Sequence, residues 1–338
     1  MTPRSEKILA LQFKYFGDAV LMTPALRALR EKYPPADLHI LVPEEIAPLF
    51  RHLPWLTRVW ALPRRRGTAS LRETWPFIRA LRREQFDRSV DFAGNDRGAI
   101  LSRLIGAPNR LGWAQVGGFW GRKFCYHQRV ALEEKTEHES ARLARLLAAW
   151  DIAPLSLAAE IRADPALAAA AEKILPGRNI LCHVAASQPR KEWPLSHWAE
   201  FYRAATAAGH HVVFTTATGE REQLLMSGLK NLVPEAPVLP AISELALFLA
   251  VVNRAAVFIS GDTGPLHFAA GLGVPTISLF GPTAPARWAP IGQRHQILTG
   301  DACGCPANSS VCNSVRHCLA AVSPEQVLAA LKKCPELA

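Results

Sequence analysis

The segment at residues 255–283, AAVFISGDTGPLHFAAGLGVPTISLFGPT, combines residue types that suit the binding of a phosphate group. A β-branched and aromatic run at 257–259 precedes a polar turn at 260–264, an apolar helical segment that Pro265 opens, and a second strand at 276–280. A strand, a short helix and a strand in such close succession predict parallel strands, whose following loops share one edge of a sheet. Ligands of open α/β sheets bind at that edge, so we expect a ligand site there.

The turn that starts this helix offers suitable chemistry. A helix that begins near Asp262, Thr263 and Gly264 presents unpaired N–H groups and the positive end of its dipole to a phosphate. The alternative is an ordinary turn in which Asp262 caps the helix and Gly264 permits a tight bend. His267 lies about one helical turn further on, where it fits a phosphate contact and packing against Phe280 equally well.

Two more charged residues follow predicted strands. Asp18 comes after Gly17 in a strand-to-helix turn, at the carboxyl end of the first strand. An aspartate there is either the helix N-cap or a functional carboxylate, and the residues by themselves favour the cap. Lys191 lies in the loop after the strand at 180–184, close to Ser187, a placement more typical of a binding residue than of a solvated lysine.

Length and composition indicate two α/β domains. A chain of 338 residues with 49% hydrophobic content exceeds the ordinary size of one core. Residues 151–165 are the predicted linker. Strand-like and helix-like segments alternate, with strands at 8–12, 38–42, 88–92, 180–184, 212–214, 257–259 and 276–279 and helices at 19–32, 71–83 and 138–150.

The formal net charge of +10 lies wholly in the first half of the chain. Residues 1–150 hold 25 Lys or Arg against 15 Asp or Glu, a difference of +10, whereas residues 151–338 hold 14 of each. Such a surface attracts anionic lipid, acidic glycolipid or nucleic acid, and the alternative is a solvated helix face. The arginines concentrate on and before the predicted helix at 71–83, namely Arg64, Arg65, Arg66, Arg72, Arg79, Arg82 and Arg83.

The opening residues lack the apolar core of a secretory signal, and the apolar run at 245–252 is too short to cross a bilayer. We therefore expect a cytosolic protein that touches membranes only from the side. Four of the seven cysteines cluster as C-x-C-x6-C-x5-C, with a first spacing of one residue where about two to four are usual for zinc. Reduced thiols, a labile disulfide and a zinc site all stay open for Cys303, Cys305, Cys312 and Cys318.

Four separate segments carry a resemblance to a known family. They are ILALQFKYFGDAVLMTPALRALREKYPPADLHILV at 8–42, S-x-x-x-K-x-W-P at 187–194, D-T-G-P-L-H at 262–267 with G-P-T at 281–283, and C-L-x-x-x-x-P-E-x-V at 318–327. Together they resemble glycosyltransferase family nine, the lipopolysaccharide heptosyltransferases. The resemblance implies the GT-B fold, an α/β fold of two doubly wound Rossmann-like domains facing a central cleft. It predicts an acceptor-binding domain at 1–155, a donor-binding domain at 166–320 and a C-terminal helix at 321–338.

The resemblance also implies roles for individual residues. Asp18 becomes the general base rather than a cap, with Gly17, Arg64, Arg65 and Arg66 on the acceptor side. Residues 216–218 read T-A-T where the family often has G-G-P, so the path of the loop before Glu220 and the base preference stay open. The implied donor contacts are Ser187, Lys191, Glu220, Asp262, Thr263, Gly264, His267, Gly281, Pro282 and Thr283.

The implied reaction is inverting transfer of heptose from ADP-heptose to an acidic inner-core lipopolysaccharide acceptor, at the cytoplasmic face of the inner membrane. No D-x-D pair occurs in the chain, so we expect neither metal nor cofactor, with Lys191 and a helix dipole neutralising the diphosphate. One alternative is another nucleotide sugar used on O-antigen or a related glycan. A nucleotide- or nucleic-acid-binding protein is the other, but no G-x-G-x-x-G or nucleic-acid motif supports it, so we expect no nucleic-acid partner.

Overall fold

A computed structural model describes residues 4–63, 71–114, 117–132, 137–302, 304–305, 312 and 317–334, and only the backbone of residues 71–73. The chain forms two compact units, residues 1–162 and 163–338. Acceptor binding by the first domain and donor binding by the second stay predictions. Within the described ranges, no helix has both the length and the apolar character needed to cross a bilayer.

The first unit is a parallel six-stranded sheet of order β3-β2-β1-β4-β5-β6. This is a doubly wound order, in which the direction of winding reverses between β1 and β4, and ligands of such sheets bind at that point. In chain order the elements are β1 (Lys7–Leu11), α1 (Phe16–Leu21), α2 (Thr23–Lys32), β2 (Asp37–Pro43), β3 (Arg58–Leu62), α3 (Leu71–Arg83), β4 (Arg88–Asp91), α4 (Asp96–Ile105), β5 (Asn109–Ala114), β6 (Gln128–Ala131) and α5 (Glu139–Arg145).

The second unit is a parallel five-stranded sheet of order β11-β10-β9-β7-β8. Its winding reverses between β7 and β9, which places the predicted ligand edge there. The elements are α6 (Ala168–Ile174), β7 (Ile180–His183), α7 (Leu195–Ala207), β8 (Val212–Thr215), α8 (Glu220–Leu232), α9 (Leu245–Val252), β9 (Val257–Gly261), α10 (Gly264–Gly271), β10 (Thr276–Phe280), α11 (Pro285–Trp288), β11 (His295–Thr299) and α12 (Pro324–Leu331).

The central strands are buried and mostly apolar because helices cover both faces of a parallel sheet. All five residues of β9 and of β10 are buried. In the second unit, α12 closes the core, since Val327 and Leu331 pack in the same cluster as Trp198 and Phe214. The indole of Trp193 donates a hydrogen bond of 2.9 Å to the carbonyl oxygen of Val322 and ties the loop after β7 to this region.

Two predicted helices are each divided. The helix predicted at 19–32 is α1 followed by α2, with Met22 between them, because Pro24 has no N–H to continue the first helix. The helix predicted at 138–150 is α5 followed by a 3₁₀ segment at Leu146–Trp150. Four strands, β3, β5, β6 and β11, were not predicted from the sequence. The edge strands β3, β6 and β11 are partly exposed, and β5 (NRLGWA) has polar residues and a glycine among its apolar ones, so all four lack the apolar run of a buried strand.

Candidate active site

Asp18 lies in the first turn of α1, at the carboxyl edge of β1. The N-cap of α1 is Tyr15, which makes no side-chain cap hydrogen bond, and Gly17 and Asp18 are the second and third residues of α1 as bounded at Phe16–Leu21. The interpretation of Asp18 as the N-cap is therefore wrong. A carboxylate in the first turn interacts favourably with the helix dipole, and that of Asp18 also accepts a hydrogen bond from its own backbone N–H.

The environment of the Asp18 carboxylate combines burial with nearby charges. Its side chain is 15% exposed, and its Oδ1 lies 4.0 Å from Nζ of Lys14. Burial raises the pKa of Asp18 above its usual value, the Lys14 ammonium opposes this rise, and Glu139 adds to it. Burial also lowers the pKa of Lys14. Asp18 is thus a stronger base than an exposed aspartate.

The buried side-chain amide of Gln12 stabilises the loop that carries Lys14. Oε1 of Gln12 accepts hydrogen bonds from the backbone N–H groups of Phe13, at 3.0 Å, and Lys14, at 3.2 Å. These two bonds fix the backbone from which the Lys14 side chain extends toward Asp18.

A buried ion pair on α5 lies near the same carboxylate, and sequence reasoning missed it. Nε of Arg142 donates to Oε2 of Glu139 at 2.8 Å, both side chains are buried, and the guanidinium lies 5.0 Å from the ring centroid of Trp113. The spacing of three residues on a helix was the available signal. The charges of Glu139 and Arg142 both influence the pKa of Asp18.

The place where the direction of winding reverses, between β1 and β4 in the first sheet, is here called the switch point. Asp91 is the last residue of β4, on the far side of this point from β1, and its carboxylate is fully buried. It accepts hydrogen bonds from the Tyr126 hydroxyl at 2.5 Å and from the N–H of Ala93 at 3.0 Å. Burial raises the pKa of Asp91 to about 6. A Cβ at Gly98 would overlap the carboxylate, so α4 can pack on Asp91 only with a glycine there.

In the second unit, the loops after β7 and β9 meet through a charged pair. Nζ of Lys191 lies 2.7 Å from Oδ2 of Asp262, with 17% and 8% of the side chains exposed. The carbonyl oxygen of Lys191 lies so close to Gly261 that a Cβ there would overlap it. Because β7 and β9 flank the point where the strand order reverses, this pair marks the expected ligand position of the sheet.

The helix that follows, α10, starts beside this pair. It begins at Gly264 with Thr263 as N-cap and no side-chain cap hydrogen bond, so the interpretation of Asp262 as the cap is wrong. Within the described chain, Oγ1 of Thr263 is buried without a hydrogen-bond partner. Nε2 of the buried His267 lies 3.9 Å from Oδ1 of Asp262. The start of α10 therefore brings together its backbone N–H groups, the Thr263 hydroxyl and the Lys191 ammonium.

Comparisons with known proteins identify the family of this chain. The model of glycosyltransferase family 9 (heptosyltransferase) matches residues 74–317. The chain belongs to glycosyltransferase family 9. It is 27% identical to lipopolysaccharide heptosyltransferase 1 of Pseudomonas aeruginosa over 317 residues, which cover 90% of this chain and 87% of that protein.

Solved structures of family 9 glycosyltransferases share the fold. A family 9 glycosyltransferase from Veillonella parvula superposes with a TM-score of 0.80 at 19% identity, covering 99% of this chain and 98% of the other. Heptosyltransferase WaaC of E. coli, solved with ADP-2-deoxy-2-fluoro heptose, superposes with a TM-score of 0.72 at 21% identity, covering 97% and 99%. The predicted α/β fold of the GT-B type is confirmed.

The remaining predicted donor residues of this family 9 chain fall in two places. Gly281, Pro282 and Thr283 follow β10 on the same edge as Asp262, and a Cβ at Gly281 would overlap the side chain of Leu319. Oγ1 of Thr283 is a further buried hydroxyl that lacks a hydrogen-bond partner in the ranges described. The turn thus packs on the segment that follows the cysteine-rich region.

Ser187 and Glu220 are exposed, and Glu220 is the first residue of α8. Arg221, the residue after Glu220, makes an internal ion pair instead. Nη1 of Arg221 lies 2.6 Å from Oε1 of Glu192, which also accepts the N–H of Ala186 at 3.1 Å. This network, which sequence reasoning missed, ties the loop after β7 to the start of α8.

Four predicted site residues lie outside the described residues: Arg64, Arg65, Arg66 and Cys303. The sulfur atoms of Cys305 and Cys312 are 3.8 Å apart, which is too far for a disulfide bond, and Cys318 is buried. Among the described residues, no three His, Cys, Asp or Glu side chains are arranged to hold a metal ion. A zinc site that includes Cys303 stays one of the open alternatives for this cluster.

Proposed function

We propose that this enzyme transfers heptose from ADP-heptose to an acidic inner-core lipopolysaccharide acceptor, with inversion at the anomeric carbon and Asp18 as general base. The observation that carries the proposal is the state of Asp18. Its carboxylate is largely desolvated at the carboxyl edge of the first sheet, its pKa is raised, and it is not the N-cap residue of α1. A carboxylate in such a place is suited to accept the proton of an acceptor hydroxyl.

Lys14 complements this role of Asp18. An ammonium 4.0 Å away favours the ionised form of the carboxylate and so opposes the effect of burial, and only an ionised carboxylate can act as a base. As the acceptor hydroxyl attacks the anomeric carbon, its proton passes to Asp18 and the bond to the diphosphate breaks on the opposite face of the sugar. This single displacement inverts the anomeric configuration.

The donor diphosphate belongs, in this proposal, at the second switch point. Lys191 offers the positive charge that stabilises the leaving ADP, and the start of α10 offers N–H groups and a dipole. Asp262 holds the Lys191 ammonium at 2.7 Å, in the position where the β-phosphate would meet it. Thr263 and Thr283 have buried hydroxyls available to donate. With no D-x-D pair in the chain, the proposal assigns no step to a metal ion.

The acceptor and the membrane are assigned to the basic face of the first unit. Exposed side chains of α3 and the residues after it line a shallow depression of about 750 Å³, namely Trp75, Arg79, Arg82, Arg83 and Gln85. The opposite face of α3, with Ile78 and Leu81, is buried. A helix with this division suits an anionic surface, so we place the enzyme at the cytoplasmic face of the inner membrane.

A donor comparison tests the proposal. Purified enzyme is given a heptose-free inner-core acceptor and, in separate reactions, ADP-heptose, UDP-sugars or GDP-sugars, and release of the nucleoside diphosphate is measured. The proposal predicts acceptor-dependent release from ADP-heptose far above the others. Preferred turnover of a UDP- or GDP-sugar would instead favour a family member that acts on O-antigen or another glycan.

A further inference from the structure

Three aromatic side chains lie exposed together on the first unit. Phe119, Trp120 and Phe124 are 38%, 85% and 59% exposed, and the rings of Trp120 and Phe124 meet edge to face with centroids 5.8 Å apart. Nζ of Lys123 lies 5.8 Å from the Trp120 ring and 5.1 Å from the Phe124 ring. We call residues 117–125 the aromatic segment. Exposed apolar groups gathered in this way mark a surface that meets a partner.

The base of the aromatic segment is fixed. Arg122 is buried, donates a hydrogen bond to the carbonyl oxygen of Gly94, and lies 3.4 Å from Oδ1 of Asp96. Gly118 has φ of +87°, and a Cβ there would overlap the Asp96 carboxylate. Cys125 packs in a buried cluster with Ala99 of α4. The rings therefore project from an anchored support.

The position of the aromatic segment relates it to Asp18. The segment follows β5, and Asp18 follows β1, with β4 between these two parallel strands. Both therefore follow the carboxyl ends of strands in one sheet, and those two strands are about 10 Å apart in the direction of strand pairing. Tyr15 and Phe16, which precede Asp18, are also exposed, at 81% and 36%. This edge carries aromatic side chains beside the proposed base.

We propose that the aromatic segment inserts Trp120 and Phe124 into the interface of an anionic lipid bilayer, and so holds the Asp18 edge at the membrane. Tryptophan and phenylalanine favour the boundary between head groups and acyl chains, and a lysine beside them favours anionic head groups. The inference rests on the proposed function, since a lipid-anchored acceptor presents its sugar at that surface. It adds an apolar contact to the basic face of α3.

The size of the patch favours a bilayer over a protein partner. The exposed parts of the three rings amount to roughly 400 Å². A stable protein interface needs about 800 Å² from each partner. A bilayer needs no such area, because a few interfacial aromatic side chains act together with basic residues elsewhere on the surface.

Vesicle partition tests the inference. Wild type and W120S/F124S are sedimented with vesicles of phosphatidylglycerol and phosphatidylcholine in equal parts, and with phosphatidylcholine alone. We expect the variant to partition to the anionic vesicles at least about tenfold less than wild type. The matched control is L155S/L224S, which removes two exposed apolar side chains, 88% and 67% exposed, that do not belong to the segment, and it should partition as wild type does.

A second variant keeps the test independent of folding. Trp120→Leu retains an apolar side chain, so it should stay bound to vesicles and lose the component of tryptophan quenching by brominated acyl chains that Trp120 contributes. Unchanged partition of W120S/F124S would overturn the inference. A wild-type dimer that W120S/F124S converts to a monomer in light scattering would overturn it too, in favour of a second copy of the chain. Transfer to a delipidated, water-soluble acceptor should be equal in all variants, and its absence in wild type would count against the proposed function alone.

Discussion

Nζ of Lys191 lies 2.7 Å from Oδ2 of Asp262, although 71 residues separate them in the sequence. The two side chains come from the loops after β7 and β9, which flank the reversal of the strand order. The cation that we assign to the donor diphosphate is thus already oriented by an acidic partner. Its charge is shared between that partner and any phosphate that binds.

The pair yields a prediction that separates binding from stability. Lys191→Met should weaken ADP binding about 10- to 100-fold, since a hydrogen bond to a charged group contributes about 1.5–3 kcal/mol. It should also lower the melting temperature, because it leaves the Asp262 carboxylate buried without its cation. Adding Asp262→Asn should restore much of the stability and none of the affinity, as measured by calorimetry and thermal unfolding. Equal ADP affinity in Lys191→Met and wild type would remove Lys191 from the donor site.

Strands at both points where the strand order reverses could be predicted from the sequence because buried parallel strands are mostly apolar runs, as in β1 and β9. Once these strands were predicted, the loops that follow them could be predicted as the ligand-binding edge of each sheet. The pairing of Lys191 with Asp262 could not, because only the strand order brings the two loops together. The sequence placed Asp18 at the carboxyl end of β1 but not inside the first turn of α1, since α1 begins at Phe16 without a capping side chain that would mark its start.

The buried pair of Glu139 and Arg142 illustrates a different limit. Two opposite charges three residues apart on a helix usually lie in solvent, so the sequence pattern indicates an exposed pair. Here both side chains are buried, and Arg142 packs over Trp113. The sequence pattern therefore indicates that Glu139 and Arg142 form a pair, but it does not indicate that the pair is buried.

His183 makes the stability of the second unit depend on pH. Burial lowers the pKa of His183 to about 4, below its usual value of 6.5. The unfolded chain therefore binds a proton at a higher pH than the folded chain does. The contribution of the neutral His183 to the free energy of unfolding is complete above pH 6.5 and is lost as the pH falls toward 4. The difference amounts to about 3 kcal/mol. Relative to His183→Leu, wild type should lose protection of the β7 amides from hydrogen exchange over this range.

Hydrogen exchange of β7 is preferred to unfolding of the whole chain because Asp91 acts in the opposite sense. Burial raises the pKa of Asp91 to about 6, so its contribution to the first unit grows as the pH falls through that value. Equal pH dependence of β7 protection in wild type and His183→Leu would contradict the assignment to His183.

The basic face of α3 should act on the acceptor and not on the donor. R79E/R82E/R83E is expected to raise the acceptor KM about 10- to 100-fold at low salt and less at high salt, because each basic residue near an anionic surface contributes about 1 kcal/mol. The donor KM should not change. R178E/K332E/K333E reverses three exposed charges of the second unit and serves as the control. An equal effect of both triple variants would mean that net charge, rather than the α3 face, governs the acceptor.

Transfer should persist without a divalent cation. The chain has no D-x-D pair, and Lys191 with the start of α10 supplies positive charge for the leaving diphosphate. Initial rates are compared before and after exhaustive dialysis against EDTA, with magnesium or manganese added back to a portion. Loss of activity that either ion restores would show that the diphosphate requires a metal.

The most direct test of the account is the transfer rate of Asp18→Asn with ADP-heptose and an inner-core acceptor at saturation. The account predicts a kcat lower by about two to four orders of magnitude, the usual size of general-base assistance, with ADP affinity unchanged. It also predicts that wild-type kcat/KM declines as the pH falls through a pKa above the ordinary aspartate value, because burial raises the pKa of Asp18. Turnover of Asp18→Asn close to that of wild type would contradict the assignment of Asp18 as the base.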